Sequence, residues 1–179
     1  MGFRKPFHND RMNVCKTQGL TFGVTLLLIL GGCSSAPPVQ RVPATYDVPA
    51  ISSRLSIGQA HDVTLYAMGL VGTPYRFGGN TPDAGFDCSG LIGHVYQTTA
   101  GVAPPRTVSS LQNWGQPVPL DGVRSGDLVL FAPRDTATHA GIYVGEGRFV
   151  HAPSTGGQVR LDQLNSRYWS TQVVAFRRP

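Results

Sequence analysis

Residues 138–153, THAGIYVGEGRFVHAP, contain two β-type runs, His139–Val144 and Arg148–Ala152, around a Gly145-Glu146-Gly147 centre. Short apolar runs on either side of a glycine-bearing loop are the mark of a β-hairpin, and three-residue loops with a left-handed glycine commonly close one. With that loop, Val144 faces Arg148 and Gly141 faces His151. Side chains alternate along a strand, so His139 shares a face with Gly141, and the two histidines become diagonal neighbours with Cα atoms roughly 7–8 Å apart. A glycine at 141 leaves space beside them. A two-residue loop without a bulge would place them on opposite faces, so their association depends on the parity of one turn.

Further short runs flank the hairpin: Asp127–Phe131, Gln158–Leu161 and Val173–Arg177, separated by Gly, Pro and Asp clusters. The preceding half has a different period. Gln59–Val71 carries Ala60, Val63, Leu65, Ala67, Met68, Leu70 and Val71 in a helical pattern that Gly72 and Pro74 terminate. Asp87 is a good N-cap for a second helix, whose apolar face is Leu91, Ile92, Val95 and Tyr96. Thr107–Trp114 reads as a short helix after Pro104-Pro105. Helices first and strands afterwards argue for an α+β fold with an antiparallel sheet, not a doubly wound parallel one. Gly58–Pro179, 122 residues, suffices for one domain with one core.

The start of the chain has another character. Arg4, Lys5, Arg11 and Lys16 precede the apolar run Leu20–Leu30. Eleven residues cross only about half of a ~30 Å hydrocarbon layer, so this is a secretory signal rather than a permanent transmembrane helix. Leu30-Gly31-Gly32-Cys33, followed by Ser34-Ser35-Ala36-Pro37-Pro38, resembles a bacterial lipobox. That implies a signal peptide over residues 1–32, lipidation of Cys33, and membrane attachment through the lipid. Residues 33–57 then read as a flexible tether too short for an added wall-binding module. Ser34 resembles the residue that sends such lipoproteins to the outer membrane, facing the periplasm. The formal charge of +5 belongs mostly to the leader: past residue 33 eleven arginines face nine acids, a net +2. With no clustered basic helix, nothing here suggests nucleic-acid binding.

Removing the leader also settles the cysteine count. Cys15 departs, Cys33 carries acyl chains, and Cys88 remains as the sole free thiol. It has no intramolecular disulfide partner, and an odd cysteine in an exported chain is either intermolecular or reactive. No CxxC spacing supports a zinc site, and neither metal nor other cofactor is expected. If Asp87 caps its helix, Cys88 lies in the first turn, where free N–H groups and the helix dipole favour the thiolate. That context alone suits a buried, inert cysteine equally well. His94, six residues on, lies roughly 240° round the helix axis and points away. His61 sits on the polar part of the first helix. His139 and His151 are different, because with Cys88 they complete a nucleophile–base–orienter pattern.

Phe86-Asp87-Cys88-Ser89-Gly90-Leu91, Thr138-His139-Ala140-Gly141-Ile142-Tyr143-Val144-Gly145 and Phe149-Val150-His151-Ala152 together resemble the NlpC/P60 cysteine peptidases. Tyr75-Arg76-Phe77-Gly78-Gly79, Pro105-Arg106-Thr107 and Tyr168-Trp169 fit in the same order, and the leader matches the Spr-like lipoprotein members. The resemblance covers residues 58–179. It implies a papain-like α+β domain with N-terminal helices packed on a five- to six-stranded antiparallel sheet. It also implies hydrolysis of peptidoglycan stem peptides at the D-γ-glutamyl–diaminopimelate bond, through a thioester acyl-enzyme; a monomer is expected, although the sequence is silent on oligomeric state. Cys88 matches the nucleophile, His139 the base and His151 the third polar residue. Tyr75 matches an oxyanion donor beside the Cys88 N–H, and Asp87, Ser89 and Arg106 match substrate-side positions, although Asp87 serves equally as a helix cap. On the residues alone two other readings stay open: a different thiol acyl transfer or amidase, and a non-catalytic wall-binding lipoprotein with a relic site. Tripeptide versus tetrapeptide preference is likewise open.

Overall fold

The computed structural model describes residues 53–179 apart from 156 and 173. The expected signal peptide, Cys33 and most of the tether lie outside these residues. Ser56 opens α1 (Ile57–Gly69) with a capping box: its hydroxyl accepts from the Gln59 N–H while the Gln59 side chain accepts from the Ser56 N–H. The helix therefore begins ahead of the expected Gln59, because cap residues lie outside the apolar pattern. Leu55 is buried, and the Arg54 N–H (2.8 Å) and Ser53 hydroxyl (2.9 Å) both donate to the Pro179 oxygen. Residues 53–57, read as tether, thus belong to the folded unit, which corrects the boundary at 58.

Two two-residue strands, β1 (Asn80–Thr81) and β2 (Gly85–Phe86), pair antiparallel ahead of α2 (Cys88–Ala100). Asp87 caps α2 by accepting from the Gly90 N–H at 2.7 Å, and Gly101 closes it in the left-handed region at φ 67°. α3 (Val108–Leu111) is shorter than the expected Thr107–Trp114. Gly115, at φ 86°, then turns the chain into the sheet.

That sheet has six antiparallel strands in the order β3–β8–β4–β5–β6–β7. They are β3 (Gln116–Val118), β4 (Leu128–Phe131), β5 (His139–Gly145), β6 (Arg148–His151), β7 (Arg160–Gln163) and β8 (Val174–Arg178). β3 was not expected. It contains Pro117, which cannot donate to a ladder and is tolerated because β3 is an edge. β7 lies two residues later than the expected Gln158–Leu161. Gln158 makes only an isolated bridge to Pro74, and pairing with β6 begins at Arg160 opposite His151.

All four residues of β4 are buried because the sheet is covered on both sides. On the helix side Val63, Leu91, Ile92 and Val95 pack with Leu128, Leu130, Ala140 and Ile142. On the other, Val129, Phe131, Phe149 and Phe176 pack with Trp169, which a 3₁₀ turn (Trp169–Thr171) carries over the sheet. A buried ion pair links β8 to the start of β4: Arg178 donates to both Asp127 oxygens at 2.9 and 2.8 Å.

The decisive hairpin closes differently from expectation. Gly145 pairs with Arg148, so the turn has two residues, Glu146 (φ 53°) and Gly147 (φ 70°), both left-handed as a type I′ turn requires. An irregularity between Tyr143 and Gly145 absorbs Val144 and restores the parity. From Tyr143 opposite Phe149 to Ile142 opposite Val150 the register is the expected one, and just beyond it Gly141 lies against His151.

Candidate active site

The two histidines emerge on the Trp169 side of the sheet, with His139 Nε2 and His151 Nδ1 2.8 Å apart. His151 is fully buried, and its Nε2 lies 3.0 Å from Asp162 Oδ2. The same carboxylate oxygen accepts the Trp169 indole N–H at 2.8 Å and two Arg160 groups, Nε at 3.1 Å and a terminal nitrogen at 2.9 Å. The Trp169 ring stacks on His139, centroids 5.5 Å apart at 21°, and meets His151 edge-on. The space expected beside the histidines at Gly141 is in use. A Cβ there would stand 2.8 Å from the Val150 carbonyl oxygen and 3.2 Å from His151 Cβ. Glycine allows β6 to approach closely enough for the rings to touch.

Cys88, half-buried at the start of α2, arrives from the helix side. The N–H groups of Ser89, Cys88 and Ala140 lie near enough to its sulfur to favour its ionised form. The Ala140 N–H is free for this because β5–β6 pairing stops at Ile142 opposite Val150. Since Ala140 follows His139, the thiol lies one residue along β5 from the histidine pair, where the strand pairing ends. Gly90, in the first turn, has no room for a Cβ because the Gly79 carbonyl lies against it.

Asp87, Ser89 and Arg106 form one polar cluster. The Asp87 carboxylate accepts from the N–H groups of Gly78 (2.9 Å) and Gly90 (2.7 Å), and from the Ser89 hydroxyl (3.1 Å). Arg106 adds a two-pronged ion pair at 2.7 and 2.9 Å and donates to Ser89 Oγ as well. Burial pushes the Asp87 carboxyl up, but Arg106 and the backbone donors outweigh it and hold it below the usual range.

Burial pushes His139 down to about 3 and His151 down to about 4; the neighbouring ring and Arg160 add to the first effect, while Asp162 opposes both. Burial would raise Asp162, but Trp169, His151 and Arg160 together keep it ionised. Cys88 is pushed up, by burial first and then by the Asp87 charge, against the three N–H groups that favour the thiolate. The helix-start N–H groups favour the thiolate as expected, but burial and the Asp87 charge outweigh them. At neutral pH Cys88 is thus a thiol, and His139 and His151 are neutral imidazoles. Tyr75 is also pushed up, by burial and then by Cys88 and Asp87, so its hydroxyl keeps its proton and can donate.

His139 and His151 are in contact, Cys88 lies by the Ala140 N–H that follows His139, Tyr75 lies near Cys88, and Asp87, Ser89 and Arg106 form the adjoining cluster. His94 is elsewhere, 3.0 Å from the Tyr66 hydroxyl and against the Phe86 ring, and His61 is exposed. Among the described residues no cluster of three His, Cys, Asp or Glu is placed to hold a metal. A cleft of about 370 Å³ runs beside His139, lined in part by Thr138, Ser154, Arg160, Tyr168 and Trp169. Sequence reasoning missed Asp162. Its signal was the Arg160-x-Asp162 alternation, which a strand ending at Leu161 cut short.

A family model described as NlpC/P60 family matches residues 72–178. The chain is 38% identical over 115 residues to "Murein DD-endopeptidase MepH" of Escherichia coli K12, covering 62% of this chain and 42% of that protein. It is 38% identical over 140 residues to "Gamma-DL-glutamyl hydrolase" of Bacillus subtilis 168, covering 76% and 30%. The chain spans less than half the length of either relative. Among solved structures, the NlpC/p60 domain of peptidoglycan hydrolase SagA superposes with a TM-score of 0.57 at 28% identity, covering 65% of this chain and 96% of that one.

Proposed function

The chain belongs to the NlpC/P60 family, and from that premise we propose that it is a cysteine endopeptidase of peptidoglycan, cutting stem peptides at the D-γ-glutamyl–diaminopimelate bond. The observation that supports this reading is a free thiol at a helix start, next to the Ala140 N–H, with a hydrogen-bonded histidine pair beginning one residue before it on the same strand. Cys88 Sγ attacks the amide carbon as His139 takes the thiol proton. The oxyanion is met by the Cys88 N–H and the Tyr75 hydroxyl. The tetrahedral adduct collapses as His139 returns its proton to the leaving amine, leaving a thioester. Water, deprotonated by His139, then releases the γ-glutamyl acid and restores the thiol. Asp87, Ser89 and Arg106 edge the acyl side, where they bind the peptide's amino end. The chain acts as a monomer, held to the envelope by lipid on Cys33, facing the periplasm from the outer membrane.

The names of the relatives favour a second bond as well: one is a murein DD-endopeptidase, which suggests an amide between two D-centres. Digestion of purified sacculi with product identification by mass spectrometry separates the two. γ-Glutamyl termini support the first reading and cleaved cross-links the second. Neither product, or full cleavage by Cys88→Ala, removes the proposal. Envelope fractionation of Cys33→Ala tests the anchor, which must be lost from the membrane fraction.

A further inference from the structure

Resting on Cys88 and His139 as the reacting couple, we propose that Asp162 is a positioning residue that fixes the tautomers of both histidines and so makes His139 Nδ1 the atom that takes the Cys88 proton. A neutral imidazole has one N–H and one bare nitrogen, and an ionised carboxylate only accepts. Three N–H donors, one from Trp169 and two from Arg160, already converge on Asp162 Oδ2. His151 Nε2, 3.0 Å from that oxygen, must therefore carry its hydrogen, because a bare nitrogen would oppose one lone pair to another. His151 Nδ1 is then the acceptor. Its neighbour at 2.8 Å, His139 Nε2, must be the donor. That leaves Nδ1 of His139 bare.

The chain of assignments is fixed from the Asp162 end. At the other end, no hydrogen bond among the described residues joins Cys88 to His139 that would set the ring. When Cys88 gives its proton to Nδ1, His139 becomes an imidazolium whose Nε2–H still points at His151; no proton passes to Asp162. Arg160 pairs with the carboxylate, so the contribution is orientation more than net charge. His151 has an acidic partner of its own in β7, and this distinguishes the site from a bare cysteine–histidine–histidine triad.

The test uses the full chain. Ring ¹⁵N NMR at neutral pH, assigned with His139→Gln and His151→Gln, should show both rings with hydrogen on Nε2 in the resting protein. Asp162→Ala should mix the tautomers and lower kcat on a muropeptide by about 10–100-fold with KM within about twofold. Asp162→Asn keeps an acceptor oxygen and should recover most of both. Hydrogen on Nδ1 of either ring in the parent chain, or unchanged tautomers and kcat in Asp162→Ala, overturns the proposal. If the parent chain cleaves no muropeptide yet shows both Nε2–H rings, disturbed by Asp162→Ala, the assignment stands and the peptidoglycan reading falls.

Discussion

Gly141→Ala puts one methyl group where β5 and β6 come closest. The added Cβ would lie 2.8 Å from the Val150 carbonyl oxygen, 2.9 Å from a Phe149 ring carbon and 3.2 Å from His151 Cβ. Two effects compete. Alanine is better than glycine in a strand by roughly 0.5–1 kcal/mol, while overfilling a packed site costs roughly 1–3 kcal/mol. The nearest obstacle is backbone, which cannot rotate aside, so the cost should win by about 1–2 kcal/mol. For a domain of this size that lowers Tm by roughly 3–10 °C. Relief requires β6 to move by about half an ångström, which stretches the histidine contact out of good hydrogen-bonding range. Since a misplacement of about 1 Å near the chemistry costs about 10²-fold, a tenfold loss of kcat is the expected scale. Thermal melting by circular dichroism and turnover of a defined muropeptide read the two effects. Gly93→Ala is the control, because its Cβ meets nothing within 4 Å on an α-helix. A Gly141→Ala protein with the parent Tm and full turnover would refute the view that this close approach sets the histidine geometry.

His139→Ala should abolish turnover and His151→Ala should reduce it less; parent-level activity in both would remove the triad. Arg178→Met strands the Asp127 carboxylate, which is 1% exposed, and should destabilise the fold by about 3–5 kcal/mol in denaturant titration. A loss below about 1 kcal/mol would mean that solvent reaches the pair. His139 and His151 ionise only at about 3 and about 4 when folded but near 6.5 when unfolded, so their contribution is complete above pH 6.5 and is lost as pH falls toward those values. Tm should fall between pH 7 and 4, less steeply in His151→Gln; a flat Tm in the parent contradicts this. Asp87→Asn keeps a good helix cap but removes the charge that raises the Cys88 thiol. Alkylation of Cys88 at pH 8 should quicken, and an unchanged or slower rate would show that burial alone controls the sulfur.

What the sequence disclosed was whatever depends on near neighbours. Residues 138–153 contain their own register, so the shared face of His139 and His151 followed from counting, even though the turn is one residue shorter and a bulge makes up the difference. Asp87 and the face of α2 were equally local. β3 and β7 were not, because their positions depend on distant partners: β3 lies along β8, and β7 is placed by His151 opposite Arg160. Asp162 went unseen for that reason. Arg106 meets Asp87 across 19 residues, and nothing in either segment announces the ion pair. The raised thiol was hidden too, since burial is a property of the assembled site and outweighs the helix end beside Cys88.

Trp169 gives the site an optical consequence. The chain has two tryptophans, and they stand on opposite sides of the sheet. Trp114 lies edge-on to Tyr96 in the helix-side core, whereas Trp169 is stacked on His139 and donates to Asp162. A protonated imidazole accepts an electron from an excited indole far more readily than a neutral one. Emission from Trp169 therefore dims when His139 becomes charged, with Trp114 as the steady reference. The protein carries a built-in lamp beside His139, and the charge of that ring can be followed by fluorescence in a pH titration without any label.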